Sequence, residues 1–313
     1  MSLTIRAGRA RAIIRPECGG TVDALYLSPG GTGESISLLR GDAPEQADAP
    51  ESPADGCEPG LFRGRLLAPF NDRIPGGRYT FRGESHSLPV NDEEFGDAIH
   101  GFLYRRRMEV VSKREGELHL VARTVPGEEA GYPFDLEISV SYRLEEDRFC
   151  LDLTGRNLGR SPLPLALGWH PYFQLPGLDR IDSAELKLPT ERYVEVDREL
   201  LPTGELPPVA DSPYDFRERA PIGTGELDLA FLLNPRGGNP SVAELYGPDH
   251  RLFLRTAGAG FLQLFIPPDR ESVAIEPVTA ATNAFNRPEL GPIALEAGGR
   301  MTLSVAVSVR RRR

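Results

Sequence analysis

Strict alternation of apolar and polar residues is the feature that most limits what this chain can fold into. From Phe134 to Leu144 every second residue is apolar, and each residue between is polar or charged. Because successive strand residues point to opposite faces, this pattern predicts a strand with one buried and one solvated face. The alternation resumes at Phe149 after a polar turn and returns from Met301 to Val309. The first two runs predict an antiparallel hairpin, and the third predicts a strand near the C-terminus.

Glycine and proline separate many further short apolar runs. The 313 residues include 33 glycines and 29 prolines, which are scattered rather than concentrated in one segment. Such punctuation is typical of many short strands and turns, and no amphipathic helix longer than two turns is evident, so a helical bundle is excluded. The sequence therefore predicts an all-β fold, a large antiparallel β-sandwich that forms a single domain over residues 1–313.

The segment 41–60 differs in composition from the rest of the chain. It holds six acidic residues and four prolines but no basic residue. A segment with so little apolar surface to bury cannot offset the entropy lost on ordering, so we predict an acidic, proline-rich loop that is solvated or partly disordered.

Charge, hydropathy and cysteine content restrict the possible partners and the compartment. The formal net charge is −10 and the run Arg310 to Arg313 is typical of a solvated tail, so nucleic-acid binding is not expected. No stretch reaches the roughly 18 apolar residues of a membrane span, and the N-terminus lacks the apolar stretch of a signal peptide. Cys18, Cys57 and Cys150 are odd in number and form no CxxC pair. These features predict a cytoplasmic protein with free thiols, without a disulfide framework or a zinc site.

Two of the five histidines stand in unusual surroundings. His86, His119 and His250 lie in polar turns or on a predicted solvated strand face, where a surface histidine is the simplest interpretation. His100 precedes a glycine that permits a tight turn, and His170 lies between the only tryptophan and an aromatic run. An imidazole among aromatic residues is either a hydrogen-bonded core residue or part of a sugar-sized pocket, and composition alone does not decide between them.

Other features bear on chemistry without deciding it. Glu276 ends an apolar run, where a carboxylate either reaches solvent or is buried for a function, and Arg73 alone indicates little. The chain has no phosphate-binding loop, dinucleotide fingerprint or nucleophile elbow. No two histidines have the spacing of a local metal site. We therefore expect neither a cofactor nor a metal.

Five segments taken together resemble a known family. In chain order they are PFNDRIPGGRYTFRGESHSLPVND, AIHGF, GWHPYFQL, YDFRERAPIGTGELDLAFLL and AIEPVTAATNAFN, and they extend from about Leu66 to Phe285. Their order and content are similar to those of the aldose 1-epimerase (galactose mutarotase) family. The resemblance implies a galactose mutarotase-like supersandwich, in agreement with the fold predicted from alternation.

The resemblance also implies a reaction and a set of residues. Glu276 would be the general base on the anomeric hydroxyl of a monosaccharide, and His170 the general acid at the ring oxygen. The sugar hydroxyls would be held by His100, Arg73, Asp228 and Gln263. Such a reaction needs no metal and no cofactor, because one group removes a proton while another supplies one. The oligomeric state, monomer or homodimer, stays open.

The sequence departs from the family pattern at one position, and three other functions are compatible with parts of it. The family usually has Asn directly before the arginine, whereas Asp72 intervenes here and brings a carboxylate beside Arg73. A hexose-6-phosphate 1-epimerase would need further cations. Arg73, Arg78 and the run Arg105 to Arg107 are candidates, unless that run is simply a charged strand face. A non-catalytic sugar-binding homologue would not need an acid–base pair. A glycosidase would need two carboxylates at the scissile bond.

Overall fold

Strands dominate the computed structural model, which describes residues 2–31, 33–41, 57, 60–233 and 240–312. In chain order the strands are β1 (Leu3–Ala7), β2 (Ala10–Arg15), β3 (Thr21–Leu27), β4 (Ile36–Ser37), β5 (Leu66–Leu67), β6 (Arg73–Ile74), β7 (Arg78–Phe81), β8 (Glu84–Ser87), β9 (Ala98–Ile99), β10 (Glu109–Arg114), β11 (Glu117–Thr124), β12 (Leu136–Leu144), β13 (Arg148–Asn157), β14 (Leu163–Pro164), β15 (Gly168–Trp169), β16 (Tyr172–Phe173), β17 (Glu185–Lys187), β18 (Thr190–Tyr193), β19 (Ala220–Pro221), β20 (Asp228–Leu233), β21 (Ser241–Tyr246), β22 (His250–Ala257), β23 (Phe261–Phe265), β24 (Val273–Val278), β25 (Ala294–Leu295) and β26 (Arg300–Arg311). Within the described ranges the helices are short 3-10 turns: Pro16–Cys18, Pro29–Gly31, Pro75–Gly77, Leu103–Arg105, Ile181–Ser183 and Pro288–Leu290.

Two large sheets form most of the fold. The first has nine strands in the order β10-β11-β12-β13-β26-β22-β21-β17-β19. The second has seven strands in the order β18-β20-β23-β24-β15-β5, with β16 also paired to β24, and β1 to β4 form a separate sheet. The predicted hairpin is β12 and β13, which pair antiparallel with Tyr142 opposite Leu151, and the predicted C-terminal strand is β26. The expectation of an all-β, antiparallel fold is confirmed.

The alternating apolar residues meet between the two large sheets. Phe149 of β13 and Trp169 of β15 are fully buried, and their ring centroids lie 6.0 Å apart. Each large aromatic side chain removes on the order of 150–250 Å² from water, so contacts of this kind dominate the stability of the sandwich. The same packing fixes β15, and with it the residue that follows, His170.

The cysteines differ from the sequence-based expectation. Cys18 and Cys57 form a disulfide with their Cα atoms 5.3 Å apart, whereas Cys150 is free. The prediction of three free thiols was therefore wrong, because 39 residues of sequence separation say nothing about distance in the folded chain. A disulfide is uncommon in a reducing compartment, so the argument from free thiols to a cytoplasmic location loses its premise.

Thiol titration measures this pairing directly. In denatured, unreduced protein we expect one reactive thiol per chain, from Cys150, and three after reduction, because a disulfide sulfur does not react with a thiol reagent. A Cys150→Ser variant serves as the control and should titrate no thiol before reduction. Three thiols in the unreduced wild-type protein would contradict the disulfide.

The three histidines predicted to lie on the surface differ in their burial. His250 begins β22 with only 9% of its surface exposed, so the prediction of a surface histidine was wrong there: its strand pairs with β26 and covers it. His86 and His119 are partly exposed.

Most of the predicted acidic loop at 41–60 lies outside the described residues. Among the residues that the structure does describe, no helix has the length and apolar character needed to cross a membrane.

A basic patch arises from strand pairing rather than from sequence proximity. Arg251, Arg255 and Arg310 surround the ring of Phe253, with guanidinium carbons 4.4, 5.1 and 5.8 Å from its centroid. Glu244 pairs with Arg251 and partly neutralises the patch. The linear sequence shows only the terminal arginine run, so this cluster was not predicted. The absence of nucleic-acid binding stays a prediction.

Candidate active site

Three adjacent strands of the seven-stranded sheet bring Asp228, Gln263 and Glu276 together. Asp228 is the first residue of β20, Gln263 is in β23 and Glu276 is in β24. Gln263 is directly opposite Glu276 in the antiparallel register, and its Nε2 donates a hydrogen bond of 2.6 Å to Asp228 Oδ1. Side chains opposite each other on neighbouring strands lie close on one face, so the register itself builds this row of polar groups.

His170 reaches the same row from the link between β15 and β16. Its backbone N–H donates to Arg65 O (2.9 Å), and its carbonyl accepts from Gly64 N–H (2.8 Å), which fixes its place. Because β15 and β16 both pair with β24, the imidazole lies beside Glu276, with Nδ1 3.4 Å from Oε1. The ring stacks on Tyr172 with a centroid distance of 4.9 Å and an interplanar angle of 9°.

The two-stranded pairing of β6 with β9 supplies Arg73 and His100. Arg73 begins β6 opposite Ile99 of β9, and His100 follows directly. The His100 ring lies 5.1 Å from that of His170. His100 and Gly101 both adopt left-handed backbone conformations, with φ of 61° and 69°. The structure thus brings together all the residues that the resemblance names, and the tight turn expected at Gly101 is confirmed.

Gly101 leaves no room for a side chain. A Cβ there would lie 2.2 Å from the backbone oxygen of Ala68, so Gly101→Ala combines a clash with an unfavourable φ. We expect it to lower the free energy of unfolding by more than about 1 kcal/mol and to displace His100, reducing activity. Urea denaturation measures the first effect.

Gly76→Ala is the matched control, because Gly76 has a similar φ of 55° but no atom within 4 Å of its Cβ position. It therefore carries the backbone cost alone. Equal losses of stability in the Gly101→Ala and Gly76→Ala variants would show that the close approach to Ala68 is unimportant.

Arg73 is held by carboxylates on two sides. Its Nε donates to Asp92 Oδ2 at 3.2 Å, and its Nη1 lies 3.4 Å from Asp72 Oδ1. The guanidinium also lies over the Phe95 ring, 4.9 Å from its centroid. These contacts fix the orientation of the Arg73 guanidinium and balance its positive charge. A guanidinium held in this way suits the binding of neutral hydroxyls.

Burial and like charges favour the protonated forms of two carboxyls. Burial, with Asp72 and Asp228 nearby, raises the pKa of Glu276 well above its ordinary value, and Arg73 only partly opposes this. Burial and the neighbouring Asp72 likewise raise the pKa of Asp228 to about 7, against the effect of Arg73 and Gln263. Both follow from the cost of placing charged groups away from water beside other negative charges.

Related effects favour the neutral form of both histidines. Burial and the positive charge of Arg63 lower the pKa of His170 to about 3. Burial, His170 and Arg73 lower the pKa of His100 well below its ordinary value. The backbone N–H of Asp72 donates to His100 Nδ1 at 3.0 Å, so the neutral ring carries its proton on Nε2 and can donate there.

The environment of Glu276 and His170 favours one transferable proton on the pair. The pKa shifts favour a protonated carboxyl and a neutral imidazole. His170 Nδ1 is buried and makes no hydrogen bond within the part of the chain that the structure describes, which leaves it free to accept that proton from Oε1 at 3.4 Å. Groups this closely coupled titrate as a pair rather than singly.

Sequence reasoning missed several neighbours of the site. Arg63 lies over Tyr172 with 4.5 Å between its guanidinium carbon and the ring centroid, and Tyr172 in turn stacks on His170. Thr282 donates to Asp72, and Asp92 holds Arg73. Tyr172, Thr282 and Asp92 fall inside the quoted motifs, so their place in the sequence was a usable signal, but Arg63 lies outside them. Among the described residues, no group of three or more His, Cys, Asp or Glu is placed to hold a metal ion.

Two of the arginines considered for a phosphate group, Arg105 and Arg106, are engaged in ion pairs. Arg105 and Arg106 each pair with Glu129 at 2.8 Å, and Arg106 also pairs with Glu128 at 2.8 Å. Arg105 belongs to a 3-10 turn rather than a strand. For these two residues the pairings favour a structural role over a phosphate site.

Comparison with known proteins agrees with the geometry. The family model described as aldose 1-epimerase matches residues 1–308. The aldose 1-epimerase of Escherichia coli K12 is 27% identical over 235 residues, 70% of this chain and 67% of the relative. The uncharacterized protein YihR of the same organism is 26% identical over 277 residues, 82% of this chain and 87% of the relative.

Solved structures extend the comparison to the whole fold. The GalM/aldose epimerase homologue of C. elegans superposes with a TM-score of 0.86 at 19% identity, covering 100% of this chain and 99% of that one. At this identity the likeness shows the fold, a galactose mutarotase-like supersandwich, as the resemblance implied. Together with the family match over nearly the full length, it establishes that the chain belongs to the aldose 1-epimerase family.

Proposed function

We propose that the protein is an aldose 1-epimerase that interconverts the α and β anomers of a free hexose. The observation that carries this proposal is the buried pair of Glu276 Oε1 and His170 Nδ1, 3.4 Å apart. Anomer exchange requires a proton to leave the anomeric hydroxyl while another reaches the ring oxygen, and a carboxyl beside an imidazole can do both. A protein that only binds sugar has no need of such a pair.

One proton moving between Glu276 and His170 is enough for ring opening and closure. Transfer from Glu276 Oε1 to His170 Nδ1 produces a carboxylate and an imidazolium. The carboxylate takes the proton of the anomeric hydroxyl, the bond between C1 and the ring oxygen breaks, and His170 Nε2–H protonates that oxygen. The open aldehyde rotates about its C1–C2 bond and closes on its other face, with the two groups exchanging roles.

The remaining site residues would hold the sugar hydroxyls. Arg73 and the Nε2–H of His100 are donors in fixed orientations. Asp228 and Gln263 form one hydrogen-bonded unit with both donor and acceptor capacity. Orientation of this kind reduces the entropy cost of reaching the transition state.

Charge favours a free sugar over a sugar phosphate. Arg73 is already balanced by Asp72 and Asp92, and Arg105 and Arg106 are paired with Glu128 and Glu129. An anionic substrate would therefore meet no cluster of uncommitted guanidinium groups among these residues, and each carboxylate nearby would repel it.

Polarimetry tests the proposal. Freshly dissolved α-D-glucose and α-D-galactose should reach their equilibrium rotations faster with the protein than without it, in a buffer of low general-base content. Glucose 6-phosphate, followed by NMR, should be accelerated less than the free sugars. Faster exchange of the phosphate would overturn the free-hexose assignment, and acceleration of none of these sugars would leave the protein as a binding homologue.

A further inference from the structure

Asp72 lies at the centre of the site, although the family resemblance assigns it no role. Only 7% of its surface is exposed, and its φ of 57° places it in the left-handed region. Such a conformation is uncommon for a residue with a side chain and is tolerated best by aspartate and asparagine. Strained, buried residues of this kind are held in place by their surroundings and cluster at functional sites.

The main chain of Asp72 is bound to His100 in both directions. Its N–H donates to His100 Nδ1 at 3.0 Å, and its carbonyl accepts from the backbone N–H of His100 at 3.1 Å. The two residues therefore support each other's conformations, and Asp72 cannot turn its side chain away by a backbone rotation without releasing the His100 ring.

The carboxylate of Asp72 is fully engaged by neighbouring donors. Oδ2 accepts from Thr282 Oγ1, while Oδ1 accepts from the backbone N–H of Arg73 at 2.8 Å and lies 3.4 Å from its Nη1. Hydrogen bonds from a guanidinium to a carboxylate are among the stronger ones in proteins, so Asp72 orients Arg73 and offsets its charge.

The same negative charge acts on the proton of the catalytic pair. The charged and titratable groups that face the Glu276–His170 pair are Asp72, Asp228, Arg73, His100 and Arg63. Asp72 and Asp228 oppose ionisation of Glu276, while Arg73 favours it. Because Asp72 is negatively charged, the pair loses its proton at a higher pH than it would without Asp72.

We propose that Asp72 is a positioning residue that restricts this epimerase to uncharged sugars by orienting Arg73 and balancing its charge. The inference rests on the proposed function of the site. Asp72 acts through Arg73, whose charge it balances, and through Glu276, whose ionisation it opposes. The family usually has Asn at this position, so Asp72 adds one negative charge to the site. That charge repels a sugar that carries a phosphate or carboxylate.

Asp72→Asn removes the charge and keeps the size and an acceptor oxygen. Relative to glucose, kcat/KM for glucose 6-phosphate should rise by about tenfold or more, because one close repulsive charge is removed. The alkaline limb of the kcat/KM profile for glucose should move to lower pH by about one unit, because the pair then loses its proton more easily. If Asp72 had only a structural role, Asp72→Asn would change neither this substrate ratio nor the alkaline limb of the pH profile.

Asp97→Asn is the matched control, since Asp97 is also buried in this region and accepts from the backbone N–H of Gly76 at 2.9 Å. It should leave both readouts unchanged. If Asp72→Asn does not fold, Asp92→Asn tests the charge balance of Arg73 and should raise the same substrate ratio without moving the limb. An unchanged substrate ratio in folded Asp72→Asn, or in Asp92→Asn where the first variant fails to fold, would overturn the proposal.

Calorimetric binding separates this inference from the proposed function. If the wild-type protein accelerates no sugar, the proposed function fails, yet the affinities of wild type and Asp72→Asn for glucose and glucose 6-phosphate can still be compared. A gain in relative affinity for the phosphate supports the role of Asp72 in charge selection, and no gain refutes it.

Discussion

Replacing Glu276 by Gln is expected to lower kcat by about 10²- to 10⁴-fold, the contribution typical of a general acid or base. The amide keeps the shape of the side chain opposite Gln263 but cannot exchange a proton with His170 or the anomeric hydroxyl. The fold should survive, because removing a buried titratable carboxyl also removes the cost of placing it away from water. Polarimetry of α-D-galactose gives the rate, and circular dichroism checks the fold.

Glu296→Gln provides the matched control, because Glu296 is exposed and pairs only with Arg82 among the described residues. It should keep the wild-type rate. Normal turnover by a folded Glu276→Gln variant would show that Glu276 is not the base. Loss of sugar binding together with turnover would assign Glu276 to binding instead.

His170→Asn is the second substitution with a large expected effect, again a loss of about 10²- to 10⁴-fold in kcat. Asparagine cannot accept the proton of Glu276 or deliver one to the ring oxygen, although it retains hydrogen-bonding capacity beside Tyr172. Sugar binding should weaken far less than kcat, because Arg73, Asp228 and Gln263 are unchanged. Initial rates over a range of sugar concentrations separate kcat from KM.

His119→Asn is the control for the histidine substitution. His119 is partly exposed on β11 and hydrogen-bonds to Ser141 Oγ at 2.8 Å, away from the predicted site residues in the sheet order. Its rate should match that of wild type. A large rise in KM with kcat intact in His170→Asn would place His170 among the binding residues and remove it from the proton transfer.

Local sequence pattern was enough to predict the strands with the strongest alternation. The hairpin of β12 and β13 follows from period-two hydrophobicity and a short turn, which are properties of neighbouring residues. The partner of β13 on its other side is β26, more than a hundred residues away, and nothing in either strand specifies that pairing locally. The disulfide between Cys18 and Cys57 was missed for the same reason, because spatial proximity is set by the whole fold.

The candidate site illustrates the same limit. The family resemblance named six residues: Arg73, His100, His170, Asp228, Gln263 and Glu276. Neither β6 nor β9, each two residues long, has a periodic pattern that could predict their pairing. The contacts that tune the site arise from such non-local pairings. Their roles in catalysis stay predictions until they are measured.

The most direct test of the account is the exchange of glucose anomers at equilibrium, followed by NMR magnetisation transfer between the α and β anomeric protons. Equilibrium is unchanged by a catalyst, so only the exchange rate reports on the protein. If the protein is an aldose 1-epimerase, exchange should increase in proportion to wild-type protein concentration and return to the uncatalysed rate with Glu276→Gln. Exchange that is independent of the wild-type protein, for glucose and for galactose alike, would contradict it.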